Sequence, residues 1–322
     1  MQRTNVVNIV SAVAAGLMLC ATCAWAQGNK PVRMIVPVTP GGPTDFAARL
    51  VAPRLSEGLG QNVIIDNRGS ANGVVGAELT AHAAPDGLTM IMGNSGTHAI
   101  NAGLYRKLPY DPERDFIPIS EVLASGMVLV ANPRVAAANL KEFIALAKKE
   151  NGKLNVGVAG ATGQLAGEAL KAQTQIALNN VHYKGSAPTE FAVLQGEVAV
   201  TLLTHIASTT HINAGKLKAL GVTSAKRISL LPNVPTIGES GVEGYEFEIW
   251  HGLFAPAGTP DKTIRALHRE IVRAVSNQET RDRVAVQGFE IVANTPEQFA
   301  VLVKREIAKY RKIIADAGIP QE

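Results

Sequence analysis

The chain has 322 residues, 46% hydrophobic and only 5% aromatic, with 31 basic against 27 acidic side chains. This small positive balance contains no Lys/Arg run and few stacking rings, which argues against nucleic-acid binding and suits a small anionic ligand. The two cysteines, Cys20 and Cys23, lie near the start, so a packed core rather than a disulfide framework must supply stability.

Residues 1–26 have the plan of a secretory leader. Arg3 precedes an apolar stretch that ends in Ala24-Trp25-Ala26, a small-x-small site, so cleavage is expected after Ala26. The stretch is shorter than the about 20 residues a membrane span needs. The expected product is exported and soluble.

Residues 32–38 (VRMIVPV) are a branched apolar run, read as a buried strand. Thr44 or Asp45 is expected to cap the next helix, whose positions Ala47, Leu50, Val51 and Leu55 keep helical spacing to Gly58 or Gly60. Pro53 should kink that helix or end its regular part. A strand over 62–67, the turn RGSANG, a helix to about 83, a PDG turn and a strand over 88–94 follow. This β-α-β-α-β order predicts a parallel sheet with helices on its faces. Residues 115–133 carry two apolar stretches split by Ala124-Ser125-Gly126. A second α/β set is read as helix 140–149, strand 154–158, helix 164–172, strand 180–183, helix 189–195, strand 198–203, helix 209–214 and strand 217–223. Extended residues 244–260 lead to two periodic helices, 261–275 and 295–317, capped by Asp261 and Thr295. Extended crossings near 116–123 and 247–254 join the two sets. Two crossings predict a hinge, with a ligand cleft between two lobes.

The candidate site residues sit in strand-to-helix turns. VPVTPGGPTD places Thr39, Pro40, Gly41, Gly42, Thr44 and Asp45 between the first strand and first helix. Such a turn lies at the sheet edge where α/β folds bind ligands. The free N–H groups and dipole of a helix start favour an anion there. The glycines permit close approach, Pro40 and Pro43 stiffen the turn, and the threonines add hydroxyls. The same residues also suit a plain capped turn. GNSGTHAIN offers Ser95, Thr97 and His98 at the equivalent place after the third strand. GVAGATGQLAGE offers Gly160, Ala161, Thr162 and Gln164, with glycines that do not fit a dinucleotide fingerprint. YKGSAPTE offers Gly185, Ser186 and Ala187, and His205 follows a strand end. His205 could face the cleft, but a lone histidine there reads more readily as structural than as a ligand contact. Phe46 reads equally as an aromatic ligand wall or as core. The seven histidines form no metal-ligand spacing, so neither metal nor cofactor is expected. Ser95 with His98 lacks a G-x-S-x-G elbow and a tethered carboxylate, which argues against a secreted serine hydrolase and against an enzyme generally.

As an ordered set, VPVTPGGPTDFAAR, NRGSANGVVGAELTAHAAPDGLTM, YDPERDFIPIS, HYKGSAPTE, PTIGESG and WHGLFAPAGTP resemble the Bug-type, TctC-like extracytoplasmic receptors of tripartite tricarboxylate transporters. The resemblance covers the chain after its leader. It implies an α/β fold of the two-lobed periplasmic-binding-protein kind (type II, the Venus flytrap) with a two-segment hinge. Lobe one would comprise 27–121 and 250–322, and lobe two 122–249. It implies a periplasmic monomer that binds a small organic carboxylate and passes it to membrane permease subunits, or, alternatively, signals to a sensor domain. Residues 40–45 would hold a carboxylate, Ser95 and Thr97 would reach the same end, and 160–164 with 185–187 would close from lobe two. VAGATGQL departs from the family's lobe-two loop, with Gln164 where a His is usual, and RGSANG carries fewer glycines than the family turn. An aromatic dicarboxylate is the expected ligand, on the strength of Phe46 and the altered loop.

Overall fold

The computed structural model describes residues 30–322, except the side chain of Ala71. The leader read from residues 1–26 lies outside them. Among the described residues no helix is long and apolar enough to cross a membrane.

The first lobe follows from the expected alternation. Strand β1 (Val32–Val36), helix α1 (Pro43–Leu59), β2 (Val63–Asn67), α2 (Val74–Ala81) and β3 (Thr89–Asn94) come in that order. β1 pairs in parallel with β2 and β3. β1 is buried at four of its five residues, as a continuous apolar strand in a parallel sheet should be. Two long strands complete this sheet, β4 (Phe116–Ala131) and β9 (Glu248–Pro256), with β9 antiparallel to both β3 and β4. Helices α8 (Asp261–Ser276) and α10 (Pro296–Asp316) pack on it, and the short α3 (Asn101–Leu104) packs on α10. α8 turns Ile264, Leu267, Ile271 and Val275 inward at helical spacing, against α1.

The second lobe holds α4 (Leu140–Glu150), β5 (Asn155–Ala159), α5 (Gly160–Thr174), β6 (Asn179–Tyr183), α6 (Ser186–Gln195), β7 (Val200–Thr204), α7 (His205–Asn213) and β8 (Lys218–Val222). Its sheet pairs β6, β5 and β7 in parallel, and β7 and β8 with the C-terminal part of β4.

β4 is one continuous strand, where the sequence suggests two stretches split at 124–126. The break in composition marks a change of partner. Up to Gly126, which pairs with Glu248, β4 belongs to the first sheet; from Met127, which pairs with Thr204, it belongs to the second. Gly126 fits because a Cβ there would stand 2.5 Å from Ser224 Oγ and 2.9 Å from Ser224 N. Gly126→Ala is therefore expected to cost about 1–3 kcal/mol through overpacking, read as a lower urea midpoint; an unchanged midpoint would show that Ser224 yields freely.

Pro53 does not end α1, which runs on to Leu59. Its missing N–H frees the carbonyl of Arg49, and both residues are exposed, so water can satisfy that oxygen. The helix starts at 160, 186 and 205 come earlier than the spacing of apolar residues suggests, because polar first turns carry no hydrophobic signal. The further helix α9 (Gln278–Gln287) escapes a reading of apolar spacing for the same reason; it buries only Thr280 and Val284 and is capped by Asn277. Two-residue β10 (Glu290–Ile291), which pairs with β4, is likewise too short to leave a pattern.

Candidate ligand-binding site

A cavity of about 620 Å³ lies between the turns of the first sheet and the start of α5. Thr39, Ser70, Asn72, Asn94 and Thr97 line it from lobe one, Ile100 and Leu104 give it an apolar wall, and residues 159–162 face it from lobe two. No charged side chain lines it.

The first turn is held from behind. Gly41 adopts φ +94, a left-handed conformation that glycine takes without steric cost. The N-cap of α1 is Gly42 with no side-chain cap, and Pro43 opens the helix. Thr44 and Asp45, expected as caps, instead lie in its first turn. Asp45 is buried and accepts from Gly41 N–H at 3.0 Å, Arg49 Nε at 2.8 Å and Asn67 Nδ2 at 2.9 Å. Burial works to raise its pKa, but the bonds from Arg49, Gly41 and Asn67 outweigh it and hold the carboxyl at about 2. Thr44 Oγ1 accepts from Asn94 Nδ2 at 3.1 Å and lies 3.1 Å from His251 Nδ1.

The third-strand turn is closed on itself. Asn94 Oδ1 accepts from Thr97 N–H, Thr97 Oγ1 accepts from Asn94 N–H, and His98 Nδ1 lies 2.8 Å from the same hydroxyl. Full burial lowers the His98 pKa to about 3, so the ring is neutral, stacked on Phe254 at 3.9 Å. Ser95 is buried and does not line the cavity, and no hydrogen bond joins it to His98. Asn72 and Asn101 are also engaged, with Tyr105 and Tyr110.

What remains for a ligand is a short set of donors. Thr39 and Thr162 both line the cavity, one from each lobe, and neither side chain has a partner among the described residues. α5 begins at Gly160 with no side-chain cap, so its first N–H groups stay available to an anion.

The family description "Tripartite tricarboxylate transporter family receptor" matches residues 47–319. The chain belongs to this family. Among its relatives, BugT of Bordetella pertussis is 34% identical over 292 residues, 90% of each chain. Two solved structures are similar over nearly the whole molecule. R. palustris Rpa4515, solved with adipate, is 34% identical with a TM-score of 0.77, covering 92% of this chain and all of that one. MatC from Rhodopseudomonas palustris, solved with malate, is 31% identical with a TM-score of 0.72, covering 88% and 98%. This TctC-family chain is thus a solute receptor of the periplasmic-binding-protein fold, α/β and two-lobed as the sequence suggests.

Of the receptor's residues singled out in the sequence, Thr39, Thr97, Gly160, Ala161 and Thr162 line the cavity together. Pro40, Gly41, Gly42, Thr44 and Asp45 build the first turn beside it without lining it. Gln164 lies further along α5, and Gly185 and Ser186 open α6, all outside the lining. Phe46 stacks on Phe289 at 5.6 Å, and His205 is buried against Gln287 and the same Phe289. Sequence reasoning gives no role to Ser70, Asn72, Asn94, Ile100 or Leu104. Asn94 carries a usable signal, since it ends a strand ahead of a Gly-Thr turn; Leu104 carries none.

Proposed function

We propose that this receptor captures an aliphatic dicarboxylate in the cleft and hands it to the membrane permease of a tripartite transporter. The observation that carries the reading is the pairing of unpartnered neutral donors from both lobes: Thr39 on one side, Thr162 and the uncapped start of α5 on the other. An anion meeting both sets favours the closed state by its differential contacts. The relatives solved with adipate and malate support the same chemistry. A ligand with an ammonium group fits poorly, because no acidic side chain faces it. An aromatic acid loses its motive, since Phe46 packs on Phe289. The hinge we propose lies at Gly126–Met127 and Phe247–Glu248, a few residues inward of the boundaries read from the sequence.

Thermal melting against a panel of acids tests this, after removal of any co-purified ligand. A dicarboxylate at 100 times its Kd should stabilise the protein by about 2.7 kcal/mol. A shift with amino acids or sugars and none with dicarboxylates would refute the reading. Thr39→Val and Thr162→Val should each weaken binding about 10- to 100-fold, the worth of one hydrogen bond to a charged group, measured by calorimetry. With no charged side chain at the site, affinity should change little with salt.

A further inference from the structure

His205 opens α7 in lobe two, yet its imidazole is spent on lobe one. Nε2 donates to the backbone carbonyl of Gln287 at 2.7 Å. The ring stands edge-on to Phe289, centroids 5.1 Å apart at 89°. Gly288, between these two residues, makes room for it: a Cβ there would come 2.7 Å from His205 Cδ2. Gln287 ends α9 and Phe289 belongs to the lobe-one core. The contact therefore crosses between lobes, while the residue itself is 1% exposed.

Phe289 also backs the first ligand turn. Its ring stacks on Phe46, which follows Asp45, and meets His251, whose Nδ1 is 3.1 Å from Thr44 Oγ1. One aromatic ring thus touches the helix that carries the ligand turn and the histidine of the opposite lobe.

We propose that His205 is an interlobe latch, a positioning residue that sets the separation of the lobes in the unliganded receptor and, through Phe289, their register with the first ligand turn. The latch acts on affinity without touching ligand. The effect on affinity rests on the cleft being the ligand site; the effect on lobe separation does not. The bond to Gln287 and the packing on Phe289 both require α7 to stay against residues 287–289. Without them the free receptor samples wider openings, and ligand must first draw the lobes together, which reduces its apparent affinity.

The test places spin labels at exposed Leu79 in lobe one and exposed Phe191 in lobe two, with Cys20 and Cys23 exchanged for Ser. Distances are measured without ligand. H205L keeps the bulk and removes the donor; H205Q restores an N–H of similar reach. The expected result is a longer, broader distribution in H205L and a wild-type one in H205Q. Adipate affinity should fall about 3- to 10-fold in H205L, matching one neutral hydrogen bond, and recover in H205Q. A wild-type distribution in H205L overturns the latch, whatever the ligand. A wider distribution that H205Q fails to narrow overturns the hydrogen bond as its cause. If H205L does not fold, H205N, polar but too short to reach Gln287, replaces it with the same expectations. Failure of adipate to bind even the wild type counts against the ligand reading and leaves the distance test decisive for the latch.

Discussion

Replacing Glu121 by Gln is expected to remove the alkaline loss of stability in this receptor. Glu121 is 4% exposed on β4 and lines a cavity of about 250 Å³ together with Glu246, Glu248, Glu290 and Glu306. Burial and the nearby Glu248 charge raise its pKa to about 8, against the lowering effect of the bond from Asn294 Nδ2. The folded pKa stands above the ordinary carboxylate value of 4.5. The folded chain therefore keeps a proton that the unfolded chain sheds. That contribution is complete below pH 4.5 and disappears as pH rises through 8. A tenfold difference in proton affinity is worth about 1.4 kcal/mol, so the loss amounts to a few kcal/mol. Urea midpoints from pH 6 to pH 9 should fall for the wild type and stay level for Glu121→Gln. Parallel falls in both proteins would refute the assignment. The acid side has the opposite sign. Burial holds His98 at about 3 and His251 at about 4, below the ordinary 6.5. Their contribution is complete above pH 6.5 and is lost as pH falls toward those values.

Asp45→Ala is expected to have the largest effect on binding of any residue that does not line the cavity. The change removes an acceptor shared by Gly41 N–H, Arg49 and Asn67. Gly41 and Arg49 are exposed and Asn67 half-buried, so water takes up part of their bonding, and the cost is the loss of hydrogen bonds to a charged group, about 1.5–3 kcal/mol each before that replacement. Stability should fall by about 2–4 kcal/mol, and the turn that presents Thr39 should lose its geometry, lowering ligand affinity on the order of 100-fold. Asp45→Asn keeps one oxygen and should fall between. With its carboxyl at about 2, below the unfolded value of 3.8, Asp45 contributes above pH 4 and loses that contribution only as pH falls through 2. Calorimetric affinities of the two variants check the first expectation. Wild-type affinity in Asp45→Ala would mean that Gly41 and Pro43 hold the turn unaided.

The helix α1 shows where sequence reading stops. The spacing of Ala47, Leu50, Val51 and Leu55 gives its length and inner face correctly, because burial of an apolar stripe is a local pattern. Its cap is not legible in the same way. Asp45 bonds backward to Gly41 and forward to Arg49 within its own turn, and only the fold brings Asn67 to it. Phe46 and His205 are ambiguous for a similar reason. Both lie next to ligand turns in sequence, yet Phe289, far along the chain from either, takes both rings.

By itself the sequence determined the alternation of strands and helices, the two crossings, and the strand-to-helix turns, of which those bearing Thr39, Thr97 and residues 160–162 line the cavity. Each is written in residues a few positions apart, through periodicity and backbone preference. The tertiary structure alone decided which donors stay free for a ligand. Thr44 is engaged by Asn94 and His251 from other strands, and Thr97 by Asn94 and His98 of its own turn, while Thr39 and Thr162 have no such partner among the described residues. A hydroxyl's availability depends on what the rest of the chain places within about 3 Å of it, and no local pattern encodes that.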